Sequence, residues 1–68
     1  MKKHHYIGRV VKGAGHTVYL RGVGFEYNLR HAGGDFQDPQ LDALVGKTID
    51  CLGIIKENAL IMVSWEEV

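Results

Sequence analysis

The 68-residue chain predicts an all-β fold, a small five-stranded barrel with one short helix between the third and fourth strands. Three observations carry this expectation. Nine glycines punctuate short runs rich in valine, isoleucine, tyrosine and threonine, the pattern of brief strands joined by tight turns. Two of the runs, "TVYLRG" (17–22) and "FEYNLR" (25–30), alternate apolar and polar residues. One helix signal, "DPQLDALVG" (38–46), falls between the third and fourth runs.

The first strand is expected over His4 to Lys12, with Gly8 as a bulge or bend in its middle. "GAGH" (13–16) is the first loop. The next two runs can be registered against each other. With Val23-Gly24 as a two-residue turn, Leu20 faces Tyr27, Val18 faces Leu29, Arg21 faces Glu26 and Tyr19 faces Asn28. Apolar partners then share one side and polar partners the other. A three-residue turn would mix the faces, and a one-residue slip inverts a strand. "HAGGDFQ" is a loop. The helix follows, with Asp38 as N-cap, Pro39 at its first position and Gly46 beyond its end. Leu41, Leu44 and Val45 form its apolar side. "KTIDCLGIIK" and "ALIMVSW" are the last strands, and Glu57-Asn58 is their turn.

Size and composition bound the rest. Residues 1–68 make a single domain. A chain this short buries only about 60% of its unfolded surface, so small scaffolds add disulfides, metals or a partner subunit. Cys51 is the one cysteine, which excludes an intrachain disulfide and raises the expectation of an oligomer. Basic and acidic residues balance at eight each, against an affinity built on neutralising many phosphates. Lys2 and Lys3 are followed by no long apolar run, so the start reads as neither a secretory signal nor a membrane anchor. That, with a free thiol, points to the cytoplasm.

Five strands with a helix between the third and fourth is the order of the OB-fold. "GKTIDCLGIIKENALIMVSWEEV" resembles the closing hairpin of small OB domains at Gly46, Lys47, Ile49, Cys51, Gly53, Asn58, Leu60 and Met62. The resemblance is one of fold, and implies a module that binds oligonucleotides, oligosaccharides or proteins without fixing which. An SH3-like barrel is the alternative architecture. "GRVVKGAGHTVYL" is also faintly similar to the cold-shock family's start, but that family's adjacent aromatic RNA-binding motifs are absent.

The final hairpin is apolar on both faces. Turning at Glu57-Asn58, it pairs Ile55 with Leu60, Gly53 with Met62 and Cys51 with Ser64 on a side suited to a barrel interior. The other side pairs Ile54 with Ile61, Leu52 with Val63 and Asp50 with Trp65. Burying each such apolar residue is worth roughly 1.5–3 kcal/mol, and a dense exposed patch marks an interaction surface. A homo-oligomer, a dimer first, is therefore expected on Leu52, Ile54, Ile61, Val63 and Trp65. The competing reading is a bulge near Ser64 that turns Trp65 inward, with the rest covered by the N-terminal segment.

A second surface is the polar side of the second and third strands, with Thr17, Tyr19, Arg21, Glu26, Asn28 and Arg30. In an OB domain this face contacts single-stranded nucleic acid, Tyr19 stacking and Arg21 and Arg30 holding phosphates, with Arg9 and Lys12 extending it. The plainer reading is a solvated face with Arg21 paired to Glu26. "GKT" (46–48) lacks the upstream glycine of a phosphate loop, Leu41 standing there, and lies between helix and strand in the wrong order. "GAG" (13–15) is turn chemistry. His4, His5, His16 and His31 match no zinc spacing, although His16 and His31 lie in or near loops with Asp35 near them. Cys51 reads as a small core hydrophobe with no base to activate it. No catalytic constellation, metal or cofactor is expected, and the chain reads as non-enzymatic.

Overall fold

The computed structural model describes residues 2–15, 17–33 and 39–68. His16, Asp35 and the N-cap Asp38 of the sequence reading lie outside them. The elements run β1 (His4–Lys12), β2 (Val18–Gly22), β3 (Phe25–His31), α1 (Pro39–Asp42), β4 (Thr48–Lys56) and β5 (Ala59–Glu67). The strands pair in a ring, β1-β2-β3-β5-β4 and back to β1. All neighbours are antiparallel except β3 and β5, which run parallel.

One strand makes the ring possible. The first half of β1 pairs with β4, from His4 with Gly53 to Arg9 with Thr48. Its second half pairs with β2, from Arg9 with Arg21 to Lys12 with Val18. Gly8 stands where the change occurs. A Cβ there would lie 2.6 Å from the Arg21 carbonyl oxygen, and one on Gly22 would lie 2.8 Å from that of Ile7. Only two glycines let the backbones cross this closely.

The β2–β3 hairpin has the expected register, Leu20 with Tyr27, Arg21 with Glu26 and Tyr19 with Asn28. Its apolar side enters the core, where Val10, Leu20, Leu29, Ile49, Leu60 and Met62 are fully buried. Tyr6, Phe25 and Tyr27 pack against that core as a cluster, with ring centroids 5.5–6.2 Å apart.

The helix is shorter than the apolar spacing suggests. It ends at Asp42, and Leu44 N–H turns back to the Leu41 carbonyl at 3.0 Å. Leu41 and Leu44 are buried, but Val45 is 38% exposed because the chain has left the helical stripe before reaching it. Gly46 takes φ +92° and donates its N–H to the Val10 carbonyl, tying the turn to β1.

The last hairpin turns at Glu57 (φ 52°) and Asn58 (φ 63°), both left-handed as a type I′ turn requires. Lys56 pairs with Ala59, Ile55 with Leu60, Ile54 with Ile61 and Gly53 with Met62, as the sequence predicts. The register then shifts. Val63 is an extra residue, so Leu52 faces Ser64, Cys51 faces Trp65 and Asp50 faces Glu66. The expected pairings of Leu52 with Val63, Cys51 with Ser64 and Asp50 with Trp65 are replaced, because a bulge places two residues of one strand against one of the other.

Candidate functional site

The faces of β4 follow from its buried residues. Ile49 and Cys51 are fully buried, so Asp50, Leu52 and Ile54 look outward. On β5, Leu60 and Met62 are buried and Ile61 looks outward beside Ile54. Val63 is 40% exposed. Across β4, Ile7 of β1 pairs with Asp50 and is 56% exposed. Leu52, Ile54 and Ile61, all half-buried, and the exposed Val63 thus form one outward apolar patch on β4 and β5, and Ile7 of the adjacent β1 lies at its edge beyond His5 and Asp50.

Trp65 departs from the expected set. The bulge puts it opposite Cys51, on the core side. Pairing of β3 with β5 stops at His31 and Met62, so Trp65 lies beyond it and remains 39% exposed. Ile7 is the member that sequence reasoning missed. Its signal was the adjacent apolar pair Tyr6-Ile7, which makes both faces of β1 apolar at that level.

Polar groups rim the surface. His5 pairs with Leu52, and its Nδ1 lies 2.9 Å from Asp50 Oδ1. Glu66 pairs with Asp50, and Arg30 of β3 pairs with Ile61.

The polar β2–β3 face has much of its charge engaged within the chain. Arg21 Nε donates to Glu26 Oε2 at 2.7 Å, and Lys12 Nζ lies 3.4 Å from Asp42 Oδ1. Arg9 stands directly across from Arg21. Tyr19 is partly buried, its ring lying where a Cβ on Gly13 would be. Asn28 Oδ1 is shielded from solvent and has no hydrogen-bond partner, so it presents no acceptor to a ligand outside. The structure therefore brings Arg9, Tyr19, Arg21 and Asn28 onto neighbouring strands, but not as an open row of donors.

The remaining motifs resolve locally. Lys47 N–H donates to the Leu44 carbonyl at 2.9 Å and Lys47 Nζ lies 3.5 Å from Glu67, so "GKT" turns its groups back on the chain. Gly13 N–H donates to the Thr17 carbonyl, closing the first loop. His31 Nδ1 lies 3.4 Å from the Ala32 carbonyl oxygen. Among the described residues no three His, Cys, Asp or Glu side chains gather as a metal site, and no helix is long and apolar enough to cross a membrane. Cys51 is fully exposed to the core and to no solvent, and burial pushes its thiol up to about 12, with the Asp50 carboxylate adding to the effect.

No family model, curated protein or solved structure matches this chain.

Proposed function

We propose that the chain is a non-catalytic OB-type binding module that self-associates through the outer face of its C-terminal hairpin. The OB assignment is supported by the strand order 1-2-3-5-4, the parallel β3–β5 pair and the helix between β3 and β4. The observation that carries self-association is the outward apolar patch of Leu52, Ile54, Ile61 and Val63, with the exposed Ile7 at its edge beyond the His5–Asp50 pair. Among the described residues the one element outside the sheet is the four-residue helix between β3 and β4. A second copy buries the surface at no cost in new sequence, and two-fold dimers are the commonest solution. A free buried thiol suits a reducing compartment such as the cytoplasm.

The footprint sets the affinity. Three strands about 4.8 Å apart and three rows of outward side chains span about 14 by 20 Å, roughly 300 Å² per copy. That is below the roughly 800 Å² per partner of a standard interface, so the dimer belongs to the weak, transient class. Sedimentation equilibrium from 10 to 500 μM tests this. Average mass should rise toward two chains, and Val63→Lys should hold it at one. A wild-type mass of one chain throughout would refute the reading.

The oligonucleotide reading of the β2–β3 face has less support, because Arg21 and Lys12 already meet carboxylates. Fluorescence anisotropy with a labelled single strand in low salt separates the two. Salt-sensitive binding lost in Arg21→Ala would favour nucleic acid.

A further inference from the structure

The rim charges specify how two copies register, an inference that rests on the self-association reading above. Outward residues on this side form three rows. In the first, Arg30 of β3 stands beside Ile61, which stands beside Ile54. In the second, Leu52 lies between Ser64 and His5. In the third, Asp50 lies between Glu66 and Ile7. The apolar centre thus has a guanidinium at one end and two carboxylates at the other. Glu66 stands five positions beyond Ile61 on β5, about 16 Å along the strand at about 3.3 Å each. This exceeds the Debye length of about 8 Å in physiological salt, so each end meets its own neighbour.

Face-to-face two-fold packing needs an axis lying in the contact plane. An axis parallel to β5 keeps each end of the patch beside the like end of the partner subunit, guanidinium end with guanidinium end and carboxylates with carboxylates. An axis across β5 sets unlike ends together. Like charges brought together at an interface are disfavoured, so the second arrangement wins. We propose that the chain forms a two-fold dimer whose β5 strands run in opposite directions across the contact, with Arg30 of each copy near Glu66 of the partner subunit, one strand to the side. Arg30 already has an interaction within its own chain, and a guanidinium carries five donors, so it can keep that one and add this. Asp50 already meets His5, which leaves Glu66 as the carboxylate to vary.

Charge exchange tests the register. Arg30→Glu and Glu66→Arg should each weaken the homodimer by about tenfold or more in sedimentation equilibrium. Mixed in equal amounts, they should restore association, because both ends are again unlike. Raising salt to 0.5 M should weaken the wild type. Circular dichroism melts establish that the variants fold, and Arg30→Gln with the salt series replaces Arg30→Glu if that variant does not. A wild-type dimer indifferent to both exchanges and to salt would overturn the register and leave the surface standing. A monomeric wild type would overturn both.

Discussion

Replacing Gly8 with alanine tests how the barrel closes. The new methyl would lie 2.6 Å from the Arg21 carbonyl oxygen, 2.8 Å from its carbon and 3.1 Å from Gly22 N, where ordinary contact begins at 3.4 Å. All three neighbours are backbone, so no side chain can swing away. β1 and β2 must part by about 0.8 Å at the place where β1 passes from one neighbour to the other. Overpacking of this kind costs about 1–3 kcal/mol. The lost flexibility of the unfolded chain returns about 0.4–1 kcal/mol. A net loss of about 1–2 kcal/mol is expected. A domain this small has a urea slope near 1 kcal/mol/M, so the midpoint should fall by about 1–2 M. Trp65 fluorescence and far-ultraviolet circular dichroism report it, at low micromolar protein so that association adds nothing. A midpoint equal to or above the wild type would refute the crossing geometry.

Leu60→Ala removes a fully buried side chain and should cost about 2–5 kcal/mol, read by thermal melting. Since 68 residues hold roughly 3–10 kcal/mol in total, this variant stands near unfolding at 37 °C. Cys51 keeps its proton to about pH 12 when folded against 9.0 in the unfolded chain. Its contribution is complete below pH 9 and is lost as pH rises toward 12, by up to about 1.4 kcal/mol per pH unit. The wild type should therefore lose stability more steeply than Cys51→Ala over that range, and the native thiol should resist disulfide reagents until urea exposes it. Glu57 holds φ 52°, a strained conformation for its side chain, so Glu57→Asn with Asn58→Gly should raise the urea midpoint by about 0.5–1 kcal/mol equivalent.

Local rules made much of this protein legible. The β2–β3 register follows from alternation and a two-residue turn, since a one-residue slip would turn Leu20 or Tyr27 to solvent. The turn at Glu57-Asn58 follows from the break between two apolar runs and from Asn58, which tolerates a left-handed backbone, and the place of the helix follows from Pro39 at its start and Gly46 beyond its end. The doubled apolar character of the closing hairpin is also plain in the order of its residues. Only the tertiary structure decided the bulge at Val63, because β5 must satisfy β3 on one edge and β4 on the other, and no residue type marks where the mismatch is absorbed. That single insertion moved Trp65 to the core side and set Glu66 beside Asp50. It was likewise closure of β1 onto β4 that added Ile7 to the surface and joined His5 to Asp50 across 45 residues. Periodicity tells which side of a strand is greasy, and only the ring of pairings tells which strands those sides will share.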